Sequence, residues 1–194
     1  MDSAPSADSR YLPETVQRAV KIVIAGPFGV GKTTMVGALS EIQALRTEET
    51  MTQAGAAVDD LAGIKDKTTT TVAMDFGRVT VNDQLVLYLF GAPGQSRFQR
   101  LWHDLTHGAL GALVLADTRR LDQSFDVIDR LEEARLPYAV AINDFPDAPD
   151  YDEERMRQAL DLLPETPLVT CDARDRASAT EALITLAEHL LTLT

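Results

Sequence analysis

Eight residues near the start of the chain, Gly26-Pro27-Phe28-Gly29-Val30-Gly31-Lys32-Thr33, constrain what it can fold into more than any others. They spell GxxxxGKT and follow directly on the apolar run Lys21-Ile22-Val23-Ile24-Ala25. A short apolar run of this kind reads as a strand, and Thr34-Met35-Val36-Gly37-Ala38-Leu39 has helical composition, so the glycines bend the chain from strand to helix. At such a bend successive backbone N–H groups turn inward on a common point, which suits phosphate oxygens. Lys32 adds a point charge over the terminal phosphates, and the Thr33 hydroxyl is a ligand for Mg²⁺. A structural Gly-rich turn would explain the glycines but not the Lys-Thr pair. The residues expected on the phosphates are Gly26, Phe28, Gly29, Val30, Gly31, Lys32, Thr33 and Thr34.

At 194 residues, with 45% hydrophobic and 25% charged side chains, the chain fits one globular domain with a sizeable core. Residues 1–12, rich in Ser, Asp, Ala and Pro and without periodicity, read as a disordered arm before a domain spanning 13–194. A net charge of −12 sets the overall field against nucleic acid and anionic lipid, so phosphate binding must be local. The single Cys171 excludes an internal disulfide and fits a reducing compartment. No apolar run is long enough to span a membrane, and Met1-Asp2-Ser3-Ala4-Pro5 lacks both a secretory pattern and a myristoylation glycine. These features predict a cytoplasmic protein whose membrane association, if any, is borrowed from partners.

Strand-like runs at 21–25, 72–81, 85–90, 110–116, 138–142 and 167–171 alternate with helical patterns at 33–45, 97–107, 123–135, 151–163 and 178–192. Met156, Ala159, Leu160 and Leu163 form one core stripe ended by Pro164. Leu183, Leu186, Ala187 and Leu190 form another, with Ser178 and Glu181 as a capping box. The alternation predicts a three-layer α/β fold, a mostly parallel six-stranded sheet with helices on both faces and ligands beyond the carboxyl ends of its strands. Residues 46–70, Thr- and Asp-rich, resist assignment.

Further motifs lie in order along the chain. Lys67-Thr68-Thr69-Thr70-Thr71-Val72-Ala73-Met74-Asp75-Phe76 ends the long connection, and Phe90-Gly91-Ala92-Pro93-Gly94-Gln95 follows the third strand. Asp117-Thr118-Arg119-Arg120 with Ser124-Phe125, then Asn143, then Thr170-Cys171-Asp172-Ala173-Arg174 follow the later strands. From about residue 12 onward the chain resembles the Ras-like small GTPases with a P-loop NTPase fold. It looks most like the actinobacterial conservon GTPases, relatives of the bacterial gliding-motility polarity GTPase.

The resemblance implies a GTP-binding switch that cycles between GTP and GDP with Mg²⁺. It gives Thr33 and Thr71 to the metal, Lys32, Thr71 and Gln95 to catalysis, and Gly94 to the terminal phosphate. Asn143 and Ala173 fall to the guanine base, with Asp147 as its displaced acceptor. It further implies slow intrinsic hydrolysis, a roadblock-type dimeric regulator and a sensor-kinase-like membrane protein in the same signalling system. Loss of the terminal phosphate would then free residues 46–75 and 91–100.

Departures from that pattern sharpen the questions. Gly91 stands where most small GTPases carry an Asp supporting Mg²⁺, leaving Asp75, Asp59 and Asp60 as substitutes that spacing does not separate. Phe28 replaces a glycine and obstructs an arginine arriving from outside, with Arg46, Arg78 and Arg97 as internal candidates. Asn143-Asp144-Phe145-Pro146 lacks Lys second and Asp fourth, and Asp147 lies one place late, which weakens guanine selectivity. The alternative function is therefore a pseudo-GTPase scaffold that holds nucleotide without hydrolysing it. His103 and His107 have the spacing of a zinc helix but no third ligand, and Phe98 and Trp102 read as core or as a partner surface.

Overall fold

A computed structural model describes residues 16–43, 45–51, 70–94 and 99–193. The strands are β1 (Arg18–Ala25), β2 (Leu45–Met51), β3 (Thr70–Asn82), β4 (Leu85–Gly91), β5 (Gly111–Ala116), β6 (Tyr138–Asn143) and β7 (Leu168–Cys171). The helices are α1 (Lys32–Leu39), α2 (Gln99–Thr106), α3 (Phe125–Glu133), α4 (Glu153–Ala159) and α5 (Arg176–Thr192). The sheet order is β2-β3-β4-β1-β5-β6-β7, with β4, β1, β5, β6 and β7 parallel and β2-β3-β4 antiparallel. All six expected strands are present. A seventh, β2, extends the antiparallel edge from within the segment that resisted assignment.

Alternation along β1 decides the layers. Ile22 and Ile24 face one way and pack with Met35, Val36 and Leu39 of α1 and Leu183, Leu186 and Leu190 of α5. Val23 and Ala25 face the other and pack with Trp102 and Leu105 of α2, Ile128 and Leu131 of α3 and Met156 of α4. Every residue of β5 and β6 is buried, as expected for parallel strands covered on both faces. The sheet thus points the carboxyl ends of β1, β5, β6 and β7 toward one rim, where the loops of the candidate site lie.

Three expected helix limits are corrected. The helix after the glycine bend stops at Leu39 rather than 45, because Ser40 is extended (ψ 136) and its Oγ accepts from the N–H groups of Ile42 and Arg78. Helix α5 begins at Arg176, not at a Ser178/Glu181 capping box. Asp175 is its N-cap, accepting from Ser178 N at 2.8 Å, while the Ser178 hydroxyl accepts from Asp172 N at 3.0 Å. Helix α4 ends at Ala159, before Asp161 turns left-handed (φ 51), so Pro164 lies well beyond the stop.

Candidate functional site

The bend after β1 is a left-handed loop. Gly26, Gly29 and Gly31 all have positive φ (137°, 76° and 106°). A Cβ on Gly26 would meet Leu115 O at 2.4 Å, and one on Gly31 would meet Asn143 Nδ2 at 2.7 Å, so the loop is pressed onto the ends of β5 and β6. Val30 is fully buried beneath it, while Phe28 is 69% exposed. Lys32 and Thr33 open α1, whose N-terminal N–H groups and dipole favour an anion. The Lys32 ammonium lies across the loop, donating to Gly26 O at 2.8 Å and Pro27 O at 2.6 Å. Burial pulls its pKa down to about 8, with the Asp75 carboxylate opposing that shift. Thr34, beside Thr33 in the first turn, is exposed.

Asp75, one of the three candidate acids, lies beside the glycine loop. In the β3/β4 register it sits directly opposite Gly91, and a Cβ on Gly91 would lie 3.1 Å from Asp75 Oδ2. The lack of a side chain at 91 therefore leaves room for this carboxylate. It is buried, and its Oδ2 accepts the Thr33 hydroxyl at 2.5 Å. Asp59 and Asp60 lie outside the described residues, as does Gln95. Thr71 belongs to β3, opposite Thr50 of β2. A hydroxyl joined to a carboxylate is an oxygen donor set that suits Mg²⁺, with the remaining positions left to phosphate oxygens and water. Among the described residues no group of three His, Cys, Asp or Glu could hold a metal by itself.

Gly94 lies flat against the loop, where a Cβ would come within 2.5 Å of Phe28 N. Trp102 fixes this stretch, its Nε1 donating to Pro93 O at 3.2 Å while the ring is buried on the α2 side of the core. Trp102 is thus a core residue with a polar handle, and Phe98 lies outside the described residues.

Asn143 frames the site from β6. Its Nδ2 donates to Val30 O and its Oδ1 accepts from Ala173 N, both at 2.9 Å. The Ala173 N–H, expected on a base carbonyl, is therefore held by Asn143. Asp147 is exposed, and its charge acts on Arg119, whose guanidinium stacks 4.0 Å over Phe145. Asp172 is paired with Arg174 at 2.8 Å, and that guanidinium holds its carboxyl down at about 2.

Of the candidate arginines, Arg97 lies outside the described residues and Arg46 pairs with Asp75 in the β2/β3 register. Arg78 lies on β3, its backbone N–H donating to Ser40 Oγ at 3.2 Å. Sequence reasoning passed over Arg120, whose Nη2 lies 3.5 Å from Phe28 O. The signal was available: an Arg-Arg pair in an acidic chain, just past the carboxyl end of a buried strand.

A model of the family described as "Conserved hypothetical ATP binding protein" matches residues 24–193. No curated protein matches the chain. Solved structures with this fold include the G domain of the T. maritima FeoB iron transporter, at TM-score 0.61 and 18% identity, covering 89% of this chain and 99% of that one. The FeoB G-domain from Methanococcus jannaschii aligns at TM-score 0.61 and 14% identity, over 90% of this chain and 99% of that one. The cytosolic domain of the T. maritima protein in its GMPPNP form aligns at TM-score 0.63 and 18% identity, over 88% of this chain and 64% of that one.

Proposed function

Because this chain belongs to that family of conserved hypothetical ATP-binding proteins, we propose that it binds a purine nucleoside triphosphate in the glycine loop and hydrolyses it slowly, acting as a GTP-operated switch. The observation that carries this reading is the Thr33–Asp75 pair beside Lys32. Loop amides and Lys32 would grip the phosphate chain, and Thr33 backed by Asp75 would hold Mg²⁺, with Thr71 completing the ligands in the triphosphate state. When bound, the metal neutralises charge on the terminal phosphates. Gln95 would orient water and the Gly94 amide would meet the outermost phosphate, so that its loss releases the flanking stretches.

Guanine over adenine rests on the resemblance to small GTPases and on the G-domain fold. The family's description as ATP-binding favours the adenine alternative. The Asp75 carboxylate, opposite Gly91 in the strand register, supports the hydrolysing reading over the scaffold. A roadblock-type dimer as activator, a sensor-kinase-like membrane complex, a cytoplasmic location, and a domain spanning 13–194 after a disordered arm complete the proposal.

The test is phosphate release from GTP and from ATP with Mg²⁺, with and without the roadblock dimer, against Lys32→Ala. Turnover of GTP above the Lys32→Ala background supports the switch. Binding without turnover leaves the scaffold, and turnover of ATP alone replaces guanine by adenine.

A further inference from the structure

Asp117, at the end of β5, has a fully buried carboxylate facing two guanidiniums. Arg119 takes its short contacts, Nε to Oδ1 at 2.9 Å and Nη2 to Oδ2 at 2.8 Å, and adds its backbone N–H at 3.0 Å. Arg120 is left with one longer contact to Oδ2, at 3.3 Å. Among the described residues its other hydrogen-bond contact is with Phe28 O at 3.5 Å, the outer limit of a hydrogen bond. The same Nη2 stands 3.8 Å from where a Cβ on Gly29 would be, at the lip of the loop. A guanidinium offers five donors in a planar fork, and most of this fork is unengaged by the contacts that hold it. Asp117 thus holds the Arg120 guanidinium at one nitrogen, Nη2, at the lip of the glycine loop.

We propose that Arg120 is a phosphate-binding residue, supplied by this chain, that closes on the phosphate chain of the bound nucleotide at the Gly29 side of the loop. The proposal rests on the nucleotide-binding reading above. Turning the free edge of the Arg120 guanidinium to phosphate gives up the marginal Phe28 carbonyl contact, and at most the long one to Asp117, for a charge-assisted bond that is shorter and stronger. In a chain of net charge −12 a second local cation beside Lys32 has a clear electrostatic use. Its place at Gly29 makes it a holder of nucleotide in both states of a switch, so diphosphate and triphosphate should benefit alike.

The test measures binding of mant-GDP, mant-GMPPNP and mant-ADP, with Mg²⁺, to the full chain and to Arg120→Gln, Arg120→Lys and Lys32→Ala. Arg120→Gln should weaken the preferred base's di- and triphosphate by about tenfold, chiefly through faster release, as for one charge-assisted bond at a partly exposed site. Arg120→Lys should recover part of that loss, and the gap between Arg120→Gln and the parent should narrow from 0.05 to 0.5 M NaCl as screening grows, roughly following the shrinking Debye length. Melting temperatures establish that the variants fold. If the parent binds nucleotide, Lys32→Ala does not, and Arg120→Gln binds like the parent, the inference falls while the function stands. If the parent binds none of the three nucleotides, both fall together.

Discussion

Thr33 and Asp75, 42 residues apart, meet because β3 runs antiparallel beside β4 and so brings the residue opposite Gly91 under the first turn of α1. A buried carboxylate costs free energy unless its charge is used, and here the Thr33 hydroxyl and the nearby Lys32 ammonium are among its partners. Asp75→Asn keeps the shape and an oxygen acceptor for Thr33 but removes the charge. The expected outcome is a 10- to 100-fold loss in the Mg²⁺ dependence of nucleotide retention, the range found when groups supporting metal ligands are changed. Release of mant-GDP across a Mg²⁺ titration measures it. An unchanged titration would move the metal's support to the acids at 59 and 60.

Among the elements, β6 and β7 hold the loop in place through a single amide. Asn143 is buried and bridges the Val30 carbonyl and the Ala173 N–H, so Asn143→Ala leaves both without their partner. The expected cost is about 2–3 kcal/mol, a fall in melting temperature of roughly 5–10 °C for a chain of this size, before any ligand is added. Calorimetry of the nucleotide-free protein checks it, and a melting point unchanged from the parent would make Asn143 a base reader only. At the end of β7, Cys171 is buried, and that burial, with the Asp172 charge adding to it, pushes its pKa up to about 12. The folded state therefore favours the neutral thiol, and this contribution is complete below pH 9 and declines as pH rises toward 12. Iodoacetamide at pH 8.5 should label Cys171 only as fast as the protein opens. Labelling in the native state at the rate of a free thiol would contradict the packing.

The elements that sequence periodicity reveals are those whose burial is one-sided or complete: β1, β5 and β6 are apolar runs, and α5 carries a stripe. Strand β2, Leu-Arg-Thr-Glu-Glu-Thr-Met, has no such pattern and is joined to the sheet by its antiparallel ladder to β3. Asp175 as a cap and the early ends of α1 and α4 depend on turn geometry that composition does not encode. In the site, the glycine loop was legible because a tight bend with positive φ at Gly26, Gly29 and Gly31 demands fixed residue types. Spacing does not separate the three acids, and the nearness of Asp75 to Thr33 comes from strand register, which composition does not encode; Arg120 depends on how two arginines divide one carboxylate.

On the scale of the whole molecule, the candidate site belongs to no single element. Gly26 presses on β5, Gly31 on β6, and Asn143 carries the contact to the β7–α5 loop, while Asp75 reaches in from the antiparallel half of the sheet. A ligand gripping the loop would therefore brace both halves of the sheet, and its binding energy would appear as stability of the entire fold. Nucleotide at 100 times its dissociation constant should add about 2.7 kcal/mol. For a domain this size that is a rise of roughly 5–10 °C in melting temperature. Thermal melts with Mg²⁺ and GDP, ADP or neither measure the effect, with Lys32→Ala as the control that should gain nothing. A single cooperative transition shifted by GDP more than by ADP fits a guanine switch. A shift with ADP alone would reassign the base, and no shift with either would leave the loop without its ligand and the proposed function without its basis.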